Sequence, residues 1–222
     1  MTYSASLLVV AKAPVPGLAK TRLCPPATPE EAADIAAAAL LDTLDAVLGT
    51  PGVRPVVAVT GSLGDARRSA EIRAVLRRCT VLPQRGGSFA DRLANAHADA
   101  YRAHGLPVFQ IGMDTPQLTP VLLAESVDRL AARGAVLGPA ADGGWWALGL
   151  DDPTVAANLR SVPMSRSDTG ALTLRALGGA GRDIDLLPVL SDVDDMATAR
   201  DVAAAVPTTR FAAALAHLGA LR

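Results

Sequence analysis

Short apolar runs alternate with longer segments of helical periodicity along most of the chain. Apolar runs bounded by glycine or proline are typical of buried strands, whereas apolar residues spaced three and four apart indicate amphipathic helices. The predicted strands are Ser6–Ala11, Arg54–Thr60, Thr80–Pro83, Val108–Ile111, Ala135–Pro139 and Ile184–Leu190, with a further one at Trp145-Trp146. The predicted helices are Pro29–Val47, Asp65–Arg78, one that begins after Ser88, Val121–Arg133, Ala171–Leu177 and Ala197–Ala205. This alternation predicts an α/β protein.

Local capping signals mark the ends of two predicted helices. Thr28 precedes a helical pattern and has Glu31 three residues further on, which is the spacing of a capping box. Gly49 and Pro51 should end that helix. Ser88 precedes a later helix and is a good N-cap residue.

Asp114 follows the apolar run Val108–Ile111 and comes directly before Thr115-Pro116. It is therefore expected at the carboxyl end of a buried strand, which is the edge of an open α/β sheet where ligands bind. A carboxylate there is well placed to hold a divalent cation against a phosphate. The alternative is that Asp114 only caps the following turn.

The first strand leads into a loop that carries three cations, Lys12, Lys20 and Arg22, and is stiffened by two prolines. Lysine offers a compact charge and arginine a two-pronged donor, so the loop suits a polyphosphate, with Pro16 and Gly17 shaping the approach. It lacks the Gly-Lys-Ser/Thr ending of a Walker sequence. The alternative is a solvated basic loop, against which the ordering effect of the prolines argues.

Two glycine-containing turns are further candidates for substrate binding. Arg85-Gly86-Gly87 precedes the helix that Ser88 caps, and it is either a close approach to a nucleotide or an ordinary tight turn. Asp142-Gly143-Gly144 leads into Trp145-Trp146. Adjacent tryptophans in a strand lie on opposite faces, so one ring is expected in the core and Trp145 is a candidate wall of an acceptor pocket.

Two later segments complete the candidate site. A polar loop at Ser165–Thr169 is expected to close over the acceptor, with Ser165 as a contact. Asp192 and Asp194 project to the same side of an extended chain, as metal ligands would. The alternative is that an acidic residue of this segment, Asp194 or Asp195, caps the next helix.

Composition narrows the class of protein. The chain has 222 residues, half of them apolar, and no apolar segment long enough to span a membrane, so one domain over residues 1–222 is expected. The net charge is −1, and the chain has only two Trp, two Tyr and three Phe. The composition therefore shows neither the excess of positive charge nor the aromatic side chains for base stacking that are typical of nucleic-acid-binding proteins. Two distant cysteines, Cys24 and Cys79, and the lack of a signal peptide indicate a cytoplasmic location.

Several motifs, spread over nearly the whole chain, resemble a known family. They are Lys12-x-Pro-x-Pro-Gly-x-x-Lys20-Thr21-Arg22-Leu23, Gly112-x-Asp114-Thr115-Pro116, Gly138-Pro-x-x-Asp142-Gly-Gly-Trp145 and Asp192-Val-Asp194. The family is an uncharacterised, glycosyltransferase-A-like one within the nucleotide-diphospho-sugar transferase superfamily. It is similar in turn to the molybdenum-cofactor and 2-phospholactate guanylyltransferases.

The resemblance implies a Rossmann-like, three-layer αβα sandwich with a mostly parallel mixed sheet, the fold of the glycosyltransferase-A type. It also implies that Lys20 and Arg22 bind phosphates, and that Asp114 and Asp192 hold Mg²⁺ or Mn²⁺. Relatives often have a tyrosine pair in place of Trp145-Trp146, a difference that bears on the choice of acceptor.

Three functions are consistent with these residues. In the favoured one, an acceptor attacks the α-phosphate of an NTP, with Lys20, Arg22 and Asp142 as catalytic residues and pyrophosphate as the leaving group. The second is glycosyl transfer from a nucleotide sugar, although Asp114-Thr115-Pro116 lacks the second acid of an Asp-x-Asp metal motif. The third is a non-catalytic nucleotide-binding protein. The partners expected are a nucleotide donor and a small acceptor; base, acceptor and oligomeric state stay open.

Overall fold

Strand and helix alternate along the protein as the sequence pattern predicts. The computed structural model describes residues 3–179, 181 and 183–220. Its strands are β1 (Ala5–Lys12), β2 (Val53–Thr60), β3 (Thr80–Pro83), β4 (Val108–Ile111), β5 (Ala135–Pro139), β6 (Trp145–Leu150) and β7 (Asp185–Leu186). Its helices are α1 (Pro29–Gly49), α2 (Ser69–Leu76), α3 (Phe89–His104), α4 (Pro120–Arg133), α5 (Thr169–Gly178), α6 (Met196–Ala205) and α7 (Arg210–Ala220), with 3-10 segments at Thr21–Leu23 and Pro153–Ser161.

The strands form one sheet in the order β3-β2-β1-β4-β6-β5-β7. All neighbouring pairs are parallel except those made by β6, which runs antiparallel to both β4 and β5. The carboxyl ends of β1, β4 and β5 therefore lie along the same edge, and the β5–β6 hairpin turns there. This is the edge at which open α/β sheets bind ligands.

Apolar side chains cover both faces of the sheet, which makes the three layers. On one face, Leu7 and Val9 of β1 pack with α1 and α4. On the other, Leu8 and Val10 pack with α3 and the 3-10 segment Pro153–Ser161. A third cluster joins α1, α6 and α7 around Phe211. None of the helices in the described part of the chain is long and apolar enough to span a bilayer.

Two predicted elements are shorter than expected. The predicted strand Ile184–Leu190 is a strand only at Asp185–Leu186, because Pro188 has no N–H to give to a ladder. The chain still follows β5, since the Leu190 N–H donates to the Pro139 carbonyl at 3.2 Å. The predicted helix Asp65–Arg78 is helical only at Ser69–Leu76, because Arg68 adopts a left-handed conformation with φ +50°.

Three elements of the described chain were not predicted from sequence: α7 and the 3-10 segments Thr21–Leu23 and Pro153–Ser161. Helix α7 packs along α1, and the Asp42 carboxylate accepts the N–H of Phe211 at 2.8 Å at its first turn. The predicted capping box at Thr28 and Glu31 is confirmed, as is the cap at Ser88.

Candidate functional site

An open cleft of about 660 Å³ lies at the carboxyl edge of the sheet. This volume is within the range of small-molecule sites, roughly 300–1,000 Å³. The sequence-predicted residues that line it are Lys12, Arg22, Asp114, Asp142, Gly144, Trp145, Ser165 and Asp192. A smaller adjoining pocket shares Lys12, Arg22 and Asp114 with the cleft and adds Lys20.

Lys20 and Asp114 form the central contact of this site. The Lys20 ammonium lies 2.8 Å from Asp114 Oδ2, and the lysine side chain is only 12% exposed. Lys20 also donates to the Val193 carbonyl, while the Val193 N–H donates to the Asp114 carbonyl at 3.0 Å. The lysine thus joins the loop after β1, the loop after β4 and the segment before α6.

Lys20 is held in a left-handed backbone conformation, with φ +50°. Ser165, which lines the cleft, has φ +59°. Non-glycine residues adopt this region at an energetic cost, and such residues cluster at functional sites. Both are residues that the sequence placed at the site.

The three acidic groups differ in what surrounds them. Asp114 Oδ1 is buried and has no hydrogen-bond partner among the described residues. Burial raises the pKa of Asp192, and the nearby carboxylates of Asp142 and Asp114 raise it further, against the opposing effect of Lys20. Asp142 is exposed, and its Oδ1 accepts the Gly144 N–H at 2.8 Å. Asp142 therefore opens the turn and also faces the cleft.

This arrangement fits a divalent cation between Asp114 and Asp192. Mg²⁺ is commonly bound by one or two carboxylates together with substrate phosphates, so two protein ligands are sufficient. A cation here would give the unpartnered Oδ1 of Asp114 a partner, and it would offset both the burial and the carboxylate repulsion that raise the pKa of Asp192. Across the described ranges there is no group of three or more His, Cys, Asp or Glu side chains that could hold a metal by itself.

The remaining basic loop residues have protein partners. Arg22 pairs with Asp194, and the side chains of both are largely exposed to solvent. The Lys12 ammonium donates to the Leu18 carbonyl at 2.6 Å and so fixes the loop on itself. Pro16 and Gly17 belong to the same loop but do not line the cleft or the adjoining pocket.

The structure does not bring Arg85, Gly86 or Gly87 to the cleft. The Arg85 guanidinium forms a forked pair with Asp99 of α3, at 2.6 and 3.0 Å. Gly86 has φ +133°, and a Cβ there would collide with Asp91, so this glycine allows the chain to approach the start of α3 closely. Substrate contact by these three residues remains a prediction.

The two tryptophans lie on opposite faces of the sheet, as the strand alternation predicts. Trp146 is buried, its indole N–H donates to the Pro188 carbonyl at 2.9 Å, and its ring meets Phe109 edge-on at 6.4 Å. Trp145 is half-buried on the other face and lines the cleft.

The turn after β5 and the loop before α5 are packed directly against each other. Gly143 has φ +89°, and a Cβ there would overlap the Ser167 carbonyl. The Gly170 N–H donates to the Gly143 carbonyl at 2.8 Å. Gly143 does not line the cleft itself but holds the Ser165 loop beside Gly144 and Trp145.

The acidic segment before α6 is divided between two roles. Asp195 caps α6 in a capping box with Thr198, so its role is structural. Asp192 and Asp194 both line the cleft.

Several cleft-lining residues were missed by sequence reasoning, among them Gln110 and Arg92. Gln110 is the polar member of the otherwise apolar strand β4, and that break in the pattern was a visible signal. Arg92 lies on a helix rich in charges, so its sequence gave no such signal.

Comparisons with known proteins establish the fold class and the family. The expected α/β fold of the nucleotide-diphospho-sugar transferase type is confirmed by its similarity to solved structures. A family model described as "Uncharacterized protein conserved in bacteria (DUF2064)" matches residues 43–166, more than half of the chain, and the protein belongs to this family. No curated protein matches its sequence significantly.

Three solved structures illustrate the shared fold. A "putative nucleotide-diphospho-sugar transferase" from Desulfovibrio desulfuricans G20 has a TM-score of 0.84 at 23% identity, over 100% of this chain and 97% of its own. CMP:2-keto-3-deoxy-manno-octonic acid synthetase, complexed with CTP, has a TM-score of 0.56 at 14% identity, over 92% and 98%. Rv0371C from Mycobacterium tuberculosis H37Rv, complexed with manganese, has a TM-score of 0.55 at 19% identity, over 90% and 98%.

Proposed function

We propose that the protein is a nucleotidyltransferase, which moves a nucleotidyl group from an NTP to a small phosphorylated or hydroxyl-bearing acceptor and releases pyrophosphate. The observation that carries the proposal is the Lys20–Asp114 pair, 2.8 Å apart, beside a cleft that Asp142 and Asp192 also line. It sets a phosphate-binding cation next to carboxylates that suit a divalent metal.

In this reaction each residue of the site has a separate role. A bond forms between an acceptor oxygen and the α-phosphorus, while the bond from that phosphorus to the α,β-bridging oxygen breaks and pyrophosphate leaves with its electron pair. Lys20 and Arg22 stabilise the charge on the leaving group; Arg22 is exposed enough to exchange Asp194 for a phosphate. A fully ionised phosphate acceptor has no proton to lose, whereas a hydroxyl acceptor gives its proton to Asp142.

Asp114 and Asp192 would hold the divalent cation, which neutralises charge on the phosphates when bound. Two structures of the same fold support the use of a nucleotide and of a divalent cation, since one is complexed with CTP and one with manganese.

Glycosyl transfer from a nucleotide sugar is the second candidate. The name of the Desulfovibrio desulfuricans G20 protein favours it. Against it stands the sequence Asp114-Thr115-Pro116, which has no second acid next to the metal-site aspartate.

A ligand screen by thermal unfolding separates the two reactions, because a ligand that binds the folded state stabilises it by mass action. The protein is mixed with each NTP or nucleotide sugar, with and without Mg²⁺ or Mn²⁺. We expect a metal-dependent rise in Tm with NTPs, which Asp114→Asn abolishes and the exposed control Asp128→Asn on α4 retains. A metal-dependent rise with nucleotide sugars alone would select glycosyl transfer, and no rise with either class would refute both.

A further inference from the structure

Gln110 is a buried amide whose side chain has no hydrogen-bond partner in the described part of the chain. The residue is 1% exposed, and neither Oε1 nor Nε2 has a hydrogen-bond partner among the described residues. It lies on the central strand β4, between the buried residues Phe109 and Ile111, and it lines the cleft. A buried amide left unpaired destabilises a fold, so a group of this kind that faces a cleft indicates a ligand contact.

Arg92, on α3, is an unpaired cation of the same cleft. Its Nε is buried with no hydrogen-bond partner among residues 3–179, 181 and 183–220, and its guanidinium lies 5.7 Å from the centre of the Phe89 ring. Within the described ranges it forms no ion pair, in contrast to Arg102 of the same helix, which binds Asp99 at 2.5 Å. A guanidinium only donates hydrogen bonds, so the buried Nε–H of Arg92 requires an acceptor that the described residues do not supply.

The part of the cleft next to α3 differs in character from the part that holds the carboxylates. We call this part the α3 arm; besides Gln110 and Arg92, it is lined by Val10, Thr60, Gln84, Phe89 and Leu93. These are apolar or neutral polar side chains, whereas Asp114, Asp142, Asp192 and Asp194 lie in the loops beyond the strands. Apolar walls with a few neutral polar groups suit a planar heterocycle better than a polyphosphate.

We propose that the α3 arm binds the base of the nucleotide donor and that Gln110 and Arg92 select a base with a lactam edge, guanine or uracil. This inference rests on the proposed use of a nucleotide donor. The keto oxygen accepts from Arg92 and from Gln110 Nε2, and the adjacent ring N–H donates to Gln110 Oε1. The amide of glutamine could also pair with adenine, because it has both a donor and an acceptor. Adenine and cytosine, however, have an amino group where guanine and uracil have the keto oxygen, and this donor would meet Arg92, which can only donate.

The test measures dissociation constants for GTP, UTP, ATP and CTP, and for the corresponding nucleotide sugars, with Mg²⁺ or Mn²⁺ present. The wild-type protein should bind at least one of the guanine and uracil nucleotides roughly tenfold or more tightly than both amino-base nucleotides. Gln110→Leu and Arg92→Leu should each remove most of that preference, while the matched control Arg102→Leu keeps it. Gln110→Leu should unfold at a Tm no lower than wild type, because it removes an unpaired buried amide.

The outcomes separate this inference from the proposed function. Equal affinity for all bases, a preference for adenine or cytosine, or retention of the preference in either variant would overturn base selection by these residues and leave nucleotidyl transfer standing. Binding of nucleotide sugars but not of NTPs would refute nucleotidyl transfer, and the base preference would then be measured on the sugars. No binding by either class would overturn both.

Discussion

Replacing Lys20 by methionine tests the contact on which the proposed site depends. The Lys20 ammonium reaches Asp114 Oδ2 at 2.8 Å and donates to the Val193 carbonyl, from a side chain that is almost buried. Methionine retains most of the apolar stem and removes the charge and the donors. The variant therefore perturbs one cation with little loss of packing.

The structure sets the expected size of the effect. Two charge-assisted hydrogen bonds disappear, each contributing about 1.5–3 kcal/mol. The Asp114 side chain is 35% exposed, so water screens the ion pair and the lower end of the range applies. We expect the free energy of unfolding to fall by about 3 kcal/mol, which lowers the Tm by roughly 6–12 °C in a chain of this size. Affinity for an NTP should fall by about 1.5–3 kcal/mol, whereas affinity for the nucleoside should be unchanged.

Calorimetric titration with an NTP and with its nucleoside measures the second effect, and Arg78→Met, at an exposed position after α2, is the control. An equal loss of affinity for nucleoside and NTP would assign Lys20 a purely structural role. Unchanged NTP binding would refute the phosphate contact. The double variant with Asp114→Asn should be less destabilised than the two single effects added together, because each single change leaves one charge unpaired.

Two further predictions concern Asp142 and a buried histidine. Asp142→Asn should lower turnover of a hydroxyl acceptor roughly a hundredfold or more while the Kd of the donor is retained, because the Asn amide oxygen can still accept the Gly144 N–H. Unchanged turnover would contradict a role for Asp142 as the base. Burial lowers the pKa of His97 to about 4, from an ordinary value near 6.5. The unfolded chain therefore binds the extra proton first, and stability of the order of 3 kcal/mol is lost as pH falls from about 6.5 to about 4. Thermal unfolding between pH 7 and pH 4 should show a smaller pH dependence in His97→Leu than in wild type, and equal dependence would contradict this.

Features determined by neighbours along the chain were predicted well. Thr28 caps α1 with Glu31 in the expected box, and Ser88 caps α3. The strands Thr80–Pro83 and Ala135–Pro139 have the predicted bounds. In each case the residues that determine the structure lie within a few positions of one another, so the local sequence is sufficient to predict it.

Features determined by distant partners were not predicted. Arg85 binds Asp99 on a later turn of α3, and helix α7 depends on its packing against α1. The site residues were identified one by one from strand ends and loop charges, but the bond from Lys20 to the Val193 carbonyl joins positions that no local pattern relates. Loop geometry and long-range packing make these contacts, and periodicity carries no information about them.

The link from Lys20 through Asp114 to Val193 also bears on the order of folding that we expect. Contacts between residues so far apart in sequence carry a large loop-closure entropy and are therefore expected late, after the local helices and the β1–β2 unit. The segment before α6 reaches Asp114 through the Val193 N–H, so the site is complete only when this late segment has docked. A folding intermediate with an intact central sheet would therefore have its core but still lack a finished nucleotide site.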